Sequence, residues 1–243
     1  MIFAAGKGTR LQPLTNTMPK ALVSVGEVTL LERTIRKLIA AGCREIIVNV
    51  HHFAEQIIDF IEQKQHFGIH IEISDEAEEL LETGGGLAKA AHFFDDGKPF
   101  IVHNVDIIST INLQALYQMH TTSGASATLA VSNRPTSRYL LFDRHNRLQG
   151  WLNEATGEQK PSEKELYIDA LSKRAFAGIQ VISAKLLREL EKRSGKFSII
   201  DFYLDQIERH RIECAIQNNE TIIDVGKIAA FSEANDFIHL SFG

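Results

Sequence analysis

The 243-residue chain is 44% hydrophobic and 23% charged. These values suit a soluble globular protein and exclude a disordered, collagen-like or membrane-bundle chain. With 26 basic against 31 acidic residues the formal charge is −5, so no nucleic-acid partner is expected. Two cysteines, Cys43 and Cys214, are too few for a disulfide scaffold or a four-cysteine zinc site, and fit a reducing cytoplasm.

Met1 to Ala5 is too short for a signal peptide or a membrane span, so a cytoplasmic chain with no membrane partner is expected. Apolar β-type runs follow at Ile2–Ala5, Glu45–Val50, Ile69–Ile73 and Phe100–His103. Helical patterns lie between them. Thr29-Leu30-Leu31-Glu32 reads as a capping box opening a helix to about Ala41, closed by Gly42. Ala54–Gln65 carries Ile57, Ile58 and Ile61 at helical spacing, and Gly86–Phe94 and Leu113–Thr122 complete the set. Strand alternating with helix through short connections predicts a mostly parallel central sheet flanked by helices, a Rossmann-like α/β fold.

The second half adds mixed strands. Ala125–Ser132, Tyr139–Phe142 and Arg147–Trp151 read as strands, the last two forming a hairpin at Arg144-His145-Asn146. Asn153–Glu165 reads as a polar loop, Ala177–Ile182 and Ile222–Val225 as strands, and Lys185–Arg193, Ile199–His210 and Ile228–Phe237 as helices. No linker or repeat interrupts the chain, so residues 1–243 are expected to form one domain.

Residues 1 to 26 hold Lys7, Arg10 and Lys20 and no acid. Gly6-Lys7-Gly8-Thr9-Arg10 follows directly on a strand. Glycines let backbone N–H groups approach a ligand, and the cations match phosphate oxygens, so this loop is read as a phosphate cradle. It lacks Walker spacing and the dinucleotide fingerprint. A second glycine cluster, Leu81-Glu82-Thr83-Gly84-Gly85-Gly86-Leu87, opens the expected Gly86–Phe94 helix, where bare backbone could meet a flat ring or a phosphate, or simply form a flexible loop. Asp106 and Asp224 each follow an apolar run. Two lone carboxylates at strand ends suit Mg²⁺, which keeps several waters and takes substrate phosphates. Zinc motifs, a nucleophile elbow and an activated cysteine are missing from the sequence.

These motifs together resemble the sugar-phosphate nucleotidyltransferases, or NDP-sugar pyrophosphorylases. The likeness is carried by Ala4-Ala5-Gly6-Lys7-Gly8-Thr9-Arg10-Leu11, Met18-Pro19-Lys20, Leu81–Leu87, Asn104-Val105-Asp106, Ala177-Gly178-Ile179-Gln180, Phe197-Ser198-Ile199-Ile200-Asp201 and Ile223-Asp224-Val225-Gly226. Among its members the chain looks most like short forms of the N-acetylmuramate 1-phosphate uridylyltransferase and mannose-1-phosphate guanylyltransferase kinds. The resemblance implies the glycosyltransferase-A-like fold, with residues 1–110 as nucleotide-binding half and 111–243 as sugar-phosphate half. It implies a nucleoside triphosphate and a sugar 1-phosphate as partners, Mg²⁺ as cofactor and a place in envelope-sugar biosynthesis.

By the same resemblance, Arg10 and Lys20 are catalytic. Ala4, Ala5, Gly6, Lys7, Gly8, Thr9, Thr83 and Gly84 hold the nucleotide, Glu82, Asn104, Glu154 and Gly178 the sugar, and Asp106 and Asp224 the metal. The chain departs from the family pattern twice: Val105 stands where glycine usually precedes the metal aspartate, and Ala155 follows Glu154 where a lysine often contacts the sugar phosphate. The favoured nucleotide is UTP with an amino-sugar 1-phosphate, and GTP with mannose or heptose 1-phosphate is the alternative. A glycosyltransferase would normally show Asp-x-Asp where this chain reads Asn-Val-Asp. An inactive binding module would have lost Arg10, Lys20 or an aspartate, and all are present.

Overall fold

A computed structural model describes residues 1–162, 167–226 and 228–242. The end of the expected polar loop, residues 163–165, lies outside the described residues. In chain order the elements begin with β1 (Ile2–Phe3), β2 (Ser24–Val25), β3 (Val28–Thr29), α1 (Leu30–Ala40), β4 (Glu45–Val50), α2 (Ala54–Gln63), β5 (His70–Asp75), α3 (Glu82–Lys89), β6 (Phe100–Asn104), β7 (Ile107–Ser109) and α4 (Leu113–Ser123). They continue with β8 (Ala127–Ser132), β9 (Arg138–Phe142), β10 (Leu148–Asn153), β11 (Glu158–Lys160), β12 (Ser172–Ile182), α5 (Ala184–Leu190), α6 (Ile199–Gln206), β13 (Ile212–Ile216), β14 (Ile222–Asp224) and α7 (Ile228–Phe242).

Two compact units emerge. The first comprises Met1–Leu81, Val102–Gln114 and Thr221–Gly243. Its sheet is wholly parallel, in the order β6–β1–β4–β5, with Ile2 beside both Val48 and His103. Parallel neighbours need crossovers, and α1 and α2 supply them. The Thr29 hydroxyl accepts the Glu32 N–H at 3.2 Å, and Leu30, Leu31, Ile35 and Leu38 form the buried face of α1. The capping box is only half formed, because the Glu32 carboxylate pairs with Arg36 and Lys64 instead of returning to Thr29. Strand β1 stops at Phe3, short of the expected Ala5, because the Ala4 N–H leaves the ladder for the Asn49 side chain. An antiparallel ribbon that the sequence reading missed, β7 with β14, sets Asp224 opposite Ile107.

The second unit comprises Glu82–Ile101 and Ala115–Glu220. Its strands run β13–β8–β12–β9–β10–β11, antiparallel except for β13 beside β8. Helix α3 begins at Glu82 rather than Gly86. The Gly84 and Gly85 N–H groups donate to the Phe197 carbonyl at 2.9 and 3.2 Å. The orphan donors of a helix start thus find an acceptor far along the chain, and the helix opens four residues early. Gly84 is packed so closely that an added Cβ would lie 2.4 Å from the Phe197 ring. Strand β11 falls inside the stretch read as loop. The Gly157 N–H donates to the Asn153 carbonyl, closing a tight turn that returns the chain onto β10. Residues 212–216 add β13, and α6 ends at Gln206. Among the described residues no helix is long and apolar enough to cross a membrane.

Candidate functional site

The glycine-rich loop after β1 is tied to its own continuation. Gly8 has φ 64, and an added Cβ would lie 2.9 Å from Thr15 Cγ2 and 3.0 Å from Lys20 Cβ. Both the left-handed backbone and the close approach therefore require glycine. The Thr15 hydroxyl and the Leu11 N–H each donate to the Gly8 carbonyl at 2.8 Å, and Leu11 is fully buried. This anchoring leaves Gly6, Lys7, Thr9 and Arg10 exposed while Ala4 and Ala5 are buried. A Cβ at Gly6 would meet open space, so packing within the chain does not explain that glycine.

The same unit brings four of the expected residues together. Lys20 is 8% exposed, and its ammonium is ion-paired with Asp106. The Val225 N–H donates to the Asp106 carbonyl at 2.9 Å, so the β7–β14 ribbon places Asp224 next to Asp106 in the structure. Arg10 lies over the same turn. A Cβ added at Gly226 would sit 2.7 Å from Asp224 Oδ1 and 3.0 Å from an Arg10 guanidinium nitrogen. Two carboxylates and two cations are thus gathered around one strand end. Among the described residues there is no group of three or more His, Cys, Asp or Glu side chains that could enclose a metal. Two hard oxygen donors are what Mg²⁺ takes from a protein when water and phosphate supply the rest, so the residues fit that ion and not zinc. Val105 is accommodated: its side chain is buried and its N–H donates to the Phe3 carbonyl, continuing the β1–β6 pairing.

The same unit holds buried polar groups to which the sequence assigns no role. His103 is fully buried, and its Nδ1–H donates to the Asn104 carbonyl at 2.7 Å. Burial lowers its pKa to about 4, so the ring is neutral. Lys37 donates to the Ser109 carbonyl, and burial lowers its pKa to about 8. Asn49 and Glu76, 3% and 0% exposed, stand behind Ala4.

The remaining expected residues lie in the second unit, apart from Asn104, which closes β6. The Thr83 hydroxyl accepts the Ile199 N–H at 3.0 Å, and Glu82 is exposed with its carboxylate 3.7 Å from Lys196. Gly178 has φ 71 and sits in the irregularity of β12 between Phe176 and Gln180, a bulge for which glycine is suited. Glu154 pairs with Lys173 at 2.8 Å, so an ammonium stands beside it although residue 155 is alanine. Lys160 pairs with Asp201 at 2.9 Å and lies 5.3 Å over the Trp151 ring.

The chain is similar to several known proteins. N-acetylmuramate alpha-1-phosphate uridylyltransferase of Caulobacter vibrioides is 42% identical over 110 residues, 44% of this chain and 45% of that protein. Mannose-1-phosphate guanylyltransferase catalytic subunit beta of Drosophila melanogaster is 30% identical over 196 residues, 79% of this chain and 50% of that protein. UTP–glucose-1-phosphate uridylyltransferase of a Synechocystis strain is 27% identical, with 96% of this chain and 61% of that protein covered. The matched part of the chain thus spans about half of these curated relatives, up to 61% of one. Among solved structures, a putative glucose-1-phosphate thymidylyltransferase from Bacillus anthracis superposes with a TM-score of 0.80 at 18% identity, covering 100% of this chain and 96% of that one. UDP-glucose pyrophosphorylase complexed with UDP-glucose gives 0.78 at 14% identity, covering 98% and 97%. These likenesses establish the mixed α/β fold with its mostly parallel, helix-flanked sheet. The family model described as nucleotidyl transferase matches residues 1–241, and the chain belongs to that family.

Proposed function

We propose that this protein transfers a nucleotidyl group from a nucleoside triphosphate to a sugar 1-phosphate. A phosphate oxygen of the sugar phosphate attacks the α-phosphorus. The bond from that phosphorus to the β-bridging oxygen breaks, and pyrophosphate departs. The single observation that carries the reading is the gathering of Asp106, Asp224, Lys20 and Arg10 around one strand end beside an exposed glycine-rich loop. A phosphate monoester is already an anionic nucleophile, so no general base is needed. The barrier is repulsion between two polyanions, which fixed cations reduce.

In this reading the Gly6–Arg10 loop cradles the triphosphate, Arg10 holds the departing pyrophosphate, and Lys20 meets the α-phosphate. Asp106 and Asp224 would hold Mg²⁺, which when bound neutralises phosphate charge. Ala4, Ala5, Thr83 and Gly84 serve the base, and Glu82, Asn104, Glu154 and Gly178 the sugar. With alanine at 155, the lysine contact to the sugar phosphate falls to Lys173, which already stands beside Glu154. The pair we favour is UTP with an amino-sugar 1-phosphate such as N-acetylmuramate 1-phosphate, in a cytoplasmic step that supplies the cell envelope. The likeness to the Caulobacter uridylyltransferase supports it. The longer stretch shared with the Drosophila guanylyltransferase favours GTP with a mannose-type sugar as the second reading. Pyrophosphate release from each of the four triphosphates against a panel of sugar 1-phosphates tests both. No release from any pair overturns the reaction itself.

A further inference from the structure

Glu76 is a fully buried carboxylate in a stretch, Asp75-Glu76-Ala77-Glu78-Glu79, that otherwise reads as solvated. A charge left in such a place is costly unless hydrogen bonds hold it. Its oxygens accept two neutral N–H donors: Oε1 from Asn49 Nδ2 at 2.6 Å, and Oε2 from the Leu81 N–H at 3.0 Å. Its backbone is held as well, the N–H donating to the Val50 carbonyl and the carbonyl accepting from His51 Nδ1, both at 2.8 Å. Asn49 passes the arrangement on, since its Oδ1 accepts the Ala4 N–H at 2.8 Å. Only one orientation of the Asn49 amide satisfies both neighbours: oxygen toward Ala4, nitrogen toward the carboxylate.

The consequence is local and directional. The Ala4 N–H is the point at which β1 ends and the chain turns out into the Gly6–Arg10 loop. Leu81 is the residue from which the chain enters Glu82-Thr83-Gly84. One buried carboxylate thus grips the backbone at the root of the loop, through Asn49, and at the root of the glycine segment, although it touches neither loop. We propose that Glu76 and Asn49 form a positioning relay that sets these two backbone entries for triphosphate binding. The inference rests on the reaction proposed above and adds to it two residues that contact no substrate.

The chemistry of the relay dictates its test. In Glu76→Gln one acceptor becomes a donor and faces either Asn49 Nδ2 or the Leu81 N–H. In Asn49→Asp two carboxylates meet at the spacing of a hydrogen bond. Combining the two substitutions restores every pair. The new carboxylate at position 49 accepts from the Ala4 N–H and from the new amide at position 76, and the oxygen of that amide accepts from the Leu81 N–H. The experiment uses the full chain and the triphosphate that the wild type turns over fastest. Each single variant should raise KM for that triphosphate by at least about tenfold, with kcat and the sugar-phosphate KM within about threefold of wild type. The double variant should return the triphosphate KM to within about threefold of wild type. A triphosphate KM unmoved by Glu76→Gln, or a double variant no better than its worse parent, overturns the relay. Where a single swap does not fold, Asn49→Ser, too short to span Ala4 and Glu76 together, takes its place with the same expectation. Calorimetric triphosphate binding separates the two readings: a wild type that binds triphosphate but catalyses nothing ends the reaction proposal and leaves the relay to the binding constants, and one that binds none ends both.

Discussion

The Lys20 ammonium is ion-paired with the Asp106 carboxylate, their side chains only 10% and 19% exposed. Each group thereby neutralises the other in a partly desolvated place. A cation arriving at Asp106 competes with Lys20, and a phosphate arriving at Lys20 competes with Asp106. Lys20→Met keeps the stem and removes the charge. It should lower kcat by roughly 10²–10³-fold, with a smaller effect on triphosphate KM. It should also cost about 1–3 kcal/mol of stability, by leaving the carboxylate without its partner. Adding Asp106→Asn should restore the urea midpoint but not turnover. Recovery of both would reduce the pair to a structural role.

Asp106 and Asp224 are brought together by the β7–β14 ribbon, and among the described residues no third His, Cys, Asp or Glu joins them in a metal-holding group. Turnover should be abolished by chelator and restored by Mg²⁺. Replacing either aspartate with alanine should cost on the order of a hundredfold or more in kcat, since metal charge stabilisation is worth several kcal/mol. Near-full turnover of both variants would remove the metal from the reading.

Gly8 and Gly42 separate backbone strain from crowding. Both have positive φ, 64 and 97, but a Cβ at Gly42 meets nothing within 4 Å while one at Gly8 presses on Thr15 and Lys20. Alanine at either position should cost about 1–2 kcal/mol in chemical denaturation. Only Gly8→Ala should also lower kcat, by about tenfold or more, because Lys20 must move. Equal activity in the two variants would show that Lys20 tolerates the displacement.

Much of the first unit was legible because its signals are local. Apolar runs mark β4, β5 and β6, Thr29 marks the start of α1, and Asp106 and Asp224 announce themselves by following apolar runs. What could not be read depends on partners distant in sequence. The start of α3 is decided by the Phe197 carbonyl more than a hundred residues downstream, and the end of β1 by Asn49. Glu76 sits in an acidic run and is fixed only by its bonds to Asn49 and Leu81. Glu154 has alanine rather than lysine after it but pairs with Lys173, 19 residues on, which spacing alone does not reveal.

Two buried histidines tie stability to pH. His120 is held by the Thr128 and Ser183 hydroxyls at 2.9 and 2.8 Å, and burial lowers its pKa, like that of His103, to about 4. Between the ordinary value near 6.5 and pH 4 the unfolded chain binds the protons that the folded one refuses. Their contribution is therefore complete above about pH 6.5 and is lost as pH falls toward 4, on the order of 3 kcal/mol each when fully realised. Urea midpoints should drop from pH 7.5 to 4.5, and His120→Gln should flatten part of that slope. An unchanged slope in the variant would deny His120 this role.

The choice of nucleotide is the sharpest remaining test. A run of glycines suggests free backbone donors and acceptors for the imide edge of uracil. In the structure the Gly84 and Gly85 N–H groups already donate to Phe197, and the Ala4 N–H to Asn49, so these three donors are spent. In the proposed reading, base discrimination then rests on the remaining backbone groups and on side chains. Glu82, exposed and only loosely paired with Lys196, is the acceptor that guanine's exocyclic amine would need. We expect UTP to be preferred, with Glu82→Gln raising the sugar-phosphate KM and leaving the KM for UTP nearly unchanged. If GTP is the substrate, the same variant should lower kcat/KM for GTP by about tenfold or more, because a charged acceptor of a hydrogen bond is lost. Measuring kcat/KM for both triphosphates, in wild type and variant at one fixed sugar phosphate, assigns the base: a wild type faster with GTP overturns the uridine preference, and a GTP activity indifferent to Glu82 removes that residue from base selection.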